Sequence, residues 1–222
     1  MTRRPPPNPR DPVSPARLAA LASLTHHRWA IPLLGECAAS PVGGWKYVTF
    51  LHRLGISRDS LGRTLAALAA LGWVHSNPGV PHALRPEYVL TSPGTRVAPA
   101  CARLMKELRR LDLEDIGLQK WSLPVLLALS SGPRRFRDLR AALPDASPRA
   151  LSLALRDLES AGLITRTLLD THPPAAEYLA TRRALRLAAG TRVLAFSLGL
   201  RTPGAATDPD QTARPQTRAR AS

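Results

Sequence analysis

Cysteine is scarce: Cys37 and Cys101 are the only two in 222 residues. They have no metal-ligand spacing and form no disulfide framework. They are expected to be small buried hydrophobes rather than a redox switch. Aromatic residues make up only 5% of the chain, and no run of them offers a stacking platform for single-stranded bases. Trp29, Trp45, Trp73 and Trp121 are therefore assigned to core or interface. No apolar stretch is long enough to span a bilayer. The N-terminal MTRRPPPNPR lacks the apolar centre of a signal peptide. A cytoplasmic location, nucleoid-associated and with no membrane partner, is expected. Catalytic signatures are missing too: there is no nucleophile elbow, phosphate-binding glycine loop, HExxH or carboxylate cluster. Asp112, Glu114 and Asp115 read as a solvated charge run, and His26-His27 has no third ligand nearby. A non-enzyme without metal or cofactor is the expectation.

What the chain does have is positive charge. Lys and Arg number 31 against 16 Asp and Glu, a net +15 with a pI near 11.5. Only Lys46, Lys106 and Lys120 are lysines, a bias that a GC-rich genome can produce. Such a bias favours Arg over Lys, not basic over acidic, so the excess points to a polyanionic partner. Residues 1–110 hold 15 basic and 5 acidic residues, and residues 111–222 hold 16 and 11. The first half carries +10 and the second +5.

The strongest internal signal is a repeat. Ser57, Leu61, Leu65, Leu68, Gly72, Glu87, Tyr88 and Thr91 recur 90 positions later as Ser147, Leu151, Leu155, Leu158, Gly162, Glu177, Tyr178 and Thr181. Trp29 and Pro32 recur 92 positions later as Trp121 and Pro124. The spacing of Leu139, Leu143, Leu151, Leu155, Leu158 and Leu163 predicts two helices with one buried face, separated by a tight turn at Pro144-Asp145-Ala146. Ser147 is an N-cap, Pro148 suits the first helical position and Gly162 ends the helix. Leu163–Leu168 and Glu177–Ala180 read as strands joined by a loop holding Pro173-Pro174. Helix, turn, helix and a two-stranded ribbon make a winged helix-turn-helix.

The first copy reads likewise. Its helices are Trp29–Cys37, Lys46–Leu54 and Ser57–Leu71, with strands at Trp73–Ser76 and Glu87–Leu90. A short helix from Pro15 precedes it. Thr95–Arg110 reads as a helix burying Val97, Cys101, Leu104 and Leu108, with Pro99 acceptable only in its first turn. The connector Leu111–Asp115 is short and lacks Gly and Ser, so the two copies are expected to pack together. Arg182–Leu200 reads as helical but interrupted near Gly190-Thr191. The expected class is mainly α with small β wings, α+β. The expected organisation is a disordered tail over 1–13, winged helices over 14–110 and 111–200, and a disordered tail over 201–222.

The second copy resembles the HxlR-type winged-helix transcriptional regulators. The resemblance rests on Trp121 opening a helix, GPRRFRDL from Gly132 to Leu139, and SPRAL from Ser147 to Leu151. GLITR at Gly162–Arg166 and EYLAT at Glu177–Thr181 complete it. It covers Trp121–Thr181 well and Trp29–Gly94 more loosely. It implies DNA binding and dimerisation through the helix after the wing. Such regulators usually carry one winged helix per chain, so a tandem copy implies an intramolecular pseudo-dimer or a homodimer. Some of them sense oxidants through a cysteine just before the first-helix Trp. Ser23–Arg28 contains none.

The third helix of each copy is the candidate reader of double-stranded DNA, through side chains on its outer face near the N-terminus. The first copy offers Arg58, Arg63 and Thr64, beside Asp59 and Gly62, with Ser57 at the helix start suited to a phosphate. The second offers Ser147, Arg149 and Ser152, beside Pro148, Leu153 and Ala154. Leu153 stands where the family commonly has a polar reader. Phosphate contacts are expected from Lys46, Arg134 and Arg135, and from His82 and Arg85 on the first wing. Each arginine taken singly is as readily a solvated surface charge; the shared face makes the case. The leading reading is a DNA-binding transcriptional regulator. A protein-interaction scaffold and a sequence-independent nucleoid protein are the alternatives.

Overall fold

In the computed structural model, residues 13–39, 44–77, 87–170 and 175–199 are described. The chain opens with helix α1 (Pro15–Thr25), whose proline sits in the first turn where its missing N–H has no helical partner. Helix α2 (Ala30–Cys37) is almost wholly buried. A two-residue strand β1 (Trp45–Lys46) leads into α3 (Tyr47–Leu54), which ends at Gly55 with φ 59°. Helix α4 (Arg58–Ala70) begins at Ser57, whose hydroxyl oxygen accepts the Ser60 N–H at 3.3 Å. Strands β2 (Val74–Asn77) and β3 (Glu87–Leu90) follow, then the long helix α5 (Ser92–Leu111).

After a single turn, α6 (Glu114–Gly117), the same order of elements recurs. Helix α7 (Ser122–Leu129) is buried along its whole length. Strand β4 (Arg134–Arg135) precedes α8 (Phe136–Ala142), and α9 (Pro148–Ser160) starts at Ser147, whose hydroxyl accepts the Ala150 N–H. Strands β5 (Ile164–Leu169) and β6 (Ala175–Ala180) lead into α10 (Arg182–Leu198).

Each run closes a three-stranded antiparallel sheet, ordered β1-β3-β2 and β4-β6-β5. Trp45 pairs with Tyr88 and Lys46 with Glu87, while Arg134 pairs with Tyr178 and Arg135 with Glu177. The joint between the third helix of each run and its hairpin is also alike. Gly72 and Gly162 adopt φ of 71° and 66°, a left-handed backbone that glycine reaches without a Cβ clash. The next residue then donates back into the helix, Trp73 to Leu68 and Leu163 to Leu158, each at 2.9 Å. Thr91 and Thr181 tie the hairpin end to the same corner by donating to the Gly72 and Gly162 carbonyls.

The core is helical. Helix α5 packs on both α2 and α10, and α1 lies against α10, α7 and α2. Leu21, Leu24, Leu33, Leu34, Leu104, Leu108, Leu187 and Leu194 are buried in this body. The α3–α4 and α8–α9 pairs and their sheets pack against it. Burial of this kind contributes roughly 1.5–3 kcal/mol for each large apolar side chain.

The chain departs from its sequence reading in four places. Helix α5 starts at Ser92, so Pro93 occupies the first turn and Pro99 lies inside the helix. Helix α10 runs unbroken through Gly190 and Thr191, with the buried Thr191 hydroxyl donating to Leu187 at 2.9 Å. A mid-helix glycine costs about 1 kcal/mol, less than the packing of Leu187, Leu194 and Leu198 returns. The connector contains α6 rather than a simple strap. Strands β1 and β4 were not expected, because two residues carry no period. The loops with Pro78, Pro81 and Pro173-Pro174 lie outside the described residues, as do 1–12 and 200–222.

Candidate nucleic-acid interface

Leu61, Thr64, Leu65 and Leu68 form the buried stripe of α4. The opposite face exposes Asp59, Arg63 and Ala66, with Arg58 beside them. These residues are four and three apart, so they share one side of the helix. In α9 the buried stripe is Leu151, Ala154, Leu155 and Leu158, and the matched outer face is Arg149, Leu153 and Arg156. Pro148 and Ser152 are exposed on its flank, and Leu153 is 45% exposed. The core requires apolar residues on one stripe, which leaves the outer stripe free to carry recognition chemistry.

Thr64 does not belong to that outer face. It is 3% exposed, and its hydroxyl donates to the Ser60 carbonyl at 2.7 Å. Its place three residues after Leu61 puts it on the buried stripe, so it cannot reach a base. Ala154 is buried for the same reason. Ser57 and Ser147 are exposed at the helix starts, with their oxygens engaged as caps.

The residues expected at phosphates divide. Lys46 is exposed at the start of α3. Arg134 is half-buried, and its Nε donates to the Ala128 carbonyl at 2.9 Å, closing the end of α7. Part of that guanidinium is thus structural. Arg135 is half-buried at the start of α8, where its backbone N–H donates to the Asp138 carboxylate at 3.2 Å. His82 and Arg85 lie outside the described residues.

Two exposed arginines escaped the sequence reading. Arg156 stands two turns along α9 from Arg149, and Arg166 lies on β5 opposite Tyr178. The signal for Arg156 was its seven-residue spacing from Arg149, which keeps both on one face.

The thiols lie in the core rather than on this surface. Cys37 and Cys101 are buried and free. Burial pushes the Cys37 thiol up to about 12, and drives Cys101 upward as well. Neither supplies a ready thiolate near neutral pH. Among the described residues no group of three or more His, Cys, Asp or Glu could hold a metal. No described helix is long and apolar enough to cross a membrane.

Two leucine-backed helices with charged outer faces, each followed by a small sheet, define a helix-turn-helix protein. The family model for the HxlR-like helix-turn-helix matches residues 116–195. Among curated relatives, YvaP of Bacillus subtilis (strain 168) is 35% identical over 74 residues, covering 33% of this chain and 68% of that protein. YtfH of Escherichia coli (strain K12) is 31% identical over 84 residues, covering 38% and 67%. The protein sll1512 of Synechocystis is 45% identical over 73 residues, covering 33% and 52%. All three are named uncharacterized HTH-type transcriptional regulators. The chain spans about half the length of several of the curated relatives it matches. The crystal structure of diamide-treated YodB from B. subtilis aligns with 40% of this chain and 89% of that one, at 23% identity and a TM-score of 0.34. This chain belongs to the HxlR-like helix-turn-helix family.

Proposed function

We propose that the chain is a transcriptional regulator that binds duplex DNA through α4 and α9, with two winged helix-turn-helix units in one polypeptide. The units correspond to residues 14–110 and 111–200, and they act as an intramolecular pseudo-dimer in the cytoplasm. The packing of α5 on α10 supports the pseudo-dimer, because it joins matched helices of the two runs. The observation that carries the reading is the pair of exposed, arginine-bearing faces: Arg63 on α4, and Arg149 with Arg156 on α9. Base contacts fall to Arg58, Arg63, Arg149 and Ser152. Phosphate contacts fall to Lys46, Ser57, Arg135, Ser147 and the free part of Arg134. The names of the relatives and the +15 charge agree with this reading.

A second reading, protein docking by the second unit, draws on Leu153, Leu168 and Leu179, which are 45%, 70% and 46% exposed. One experiment separates them. The triple variant Arg63→Ala, Arg149→Ala, Arg156→Ala removes exposed side chains only and should keep the native circular dichroism spectrum. On the DNA reading it loses at least ten-fold in duplex affinity. Unchanged duplex binding by the folded triple variant would overturn the DNA reading.

A further inference from the structure

We propose that the preferred duplex is non-palindromic, made of two unlike half-sites, one under each reading helix. The inference rests on the DNA-binding reading above and adds what the DNA must look like. A symmetric homodimer presents two identical helices, so its operator mirrors its two-fold axis. Here the two helices sit in one chain and differ where it matters. At the first outer position α4 has Asp59 and α9 has Arg149, both exposed. At the next, one turn on, α4 has Arg63 and α9 has Leu153, again both exposed. At the third, α4 has Ala66 and α9 has Arg156.

The chemistry of these pairs is opposed. An aspartate accepts from the cytosine amino group and repels guanine acceptors, whereas an arginine donates to guanine O6 and N7. A leucine at a base edge has no hydrogen bond to give and meets a thymine methyl. At the first matched position the base that suits one helix therefore leaves the other's charge unpaired, and at the second the guanine that suits Arg63 has its acceptors unmet against Leu153. No inverted repeat satisfies both. The supporting frames are alike: both helices start at a serine cap and end at a left-handed glycine. The frames begin and end the helices alike, while the outer faces ask for different bases.

The test is selection from a pool of duplexes with a randomised central stretch, using the full chain. A second selection uses the variant Asp59→Arg, Arg63→Leu, which gives α4 the residues of α9 at the first two outer positions. Both positions are exposed, so the variant should fold as the parent does. The expected result is a two-part site with unlike halves for the parent. The variant should change one half only, toward an inverted repeat of the other. Each base pair exchanged between the two sites should cost about ten-fold in affinity. An inverted repeat selected by the parent, a single half-site, or the same site selected by both proteins would overturn the proposal. So would tight binding with no sequence enriched, and that outcome would leave duplex binding itself standing. Failure to retain any duplex would overturn the DNA-binding reading as well.

Discussion

The Tyr47 hydroxyl donates to the Arg58 carbonyl at 2.6 Å, joining the first residue of α3 to the first turn of α4. It fixes the entry of the reading helix against the helix before it. The matched residue in the second run is Phe136, which has no hydroxyl. Tyr47→Phe should therefore fold normally and lose about 0.5–1.5 kcal/mol of stability, the net value of one hydrogen bond. A denaturant midpoint unchanged from the parent would show that the bond does not hold the turn.

Two glycines should respond in opposite directions to alanine. A Cβ on Gly94 would stand 2.0 Å from the Trp73 carbonyl oxygen. Backbone has to move, so Gly94→Ala should destabilise by roughly 1–3 kcal/mol or more. Gly62 sits in α4 with only the Tyr47 hydroxyl within 4 Å of such a Cβ, at 3.9 Å. Gly62→Ala should stabilise by about 0.5–1 kcal/mol, because glycine is a poor helix residue. Thermal unfolding of the two variants beside the parent checks both signs.

Much of this frame is legible in the sequence because its signals are local. Serine caps, the glycines after α4 and α9, and the leucine spacing each act within a few residues. They located the helices and hairpins of both runs. The misreadings came from tertiary effects. Packing of Leu187 and Leu194 carries α10 through Gly190, and nothing local announces that Pro99 will be held inside α5. At the site the outer face of α9 was half legible. Arg149 and Leu153 stand out from the sequence, but Arg156 lies beyond the N-terminal turns where base contacts are expected. Thr64 looked polar and available, yet its position on the leucine stripe buries it.

The buried thiols should leave the protein insensitive to mild oxidants. Cys37, raised from 9.0 to about 12 in the fold, stays protonated until well above neutral pH. Between those values the folded state binds more protons than the unfolded one. The Cys37 contribution to stability is thus fully present below pH 9 and is lost as pH rises toward 12. Cys37→Ser with Cys101→Ser should leave DNA binding under oxidant unchanged, and a thiol reagent should label the parent only after unfolding. Rapid labelling of the native chain at neutral pH would contradict this.

Side chains should divide by the kind of contact they make. Arg63→Ala should lower specific affinity about ten-fold or more and relax base preference, since a guanine contact discriminates by roughly 1–3 kcal/mol. Lys46→Ala should weaken binding to all sequences alike, as a phosphate contact carries no base information. Leu153→Ala should matter less than Arg63→Ala for DNA. If Leu153→Ala proves the most damaging and Arg63→Ala is silent, Arg63 is not a base contact.

A +15 chain that holds duplex DNA by neutralising phosphates and reading bases must bind it in a salt-dependent way. The most direct measurement is a salt titration of the full chain on its selected duplex and on a random duplex, followed by fluorescence anisotropy. Four phosphate contacts would give a slope of about −3.6 in log affinity against log salt. Slopes of about that size or steeper are expected on both duplexes, with the selected duplex bound more tightly throughout. Affinity that does not change between low and moderate salt would contradict it.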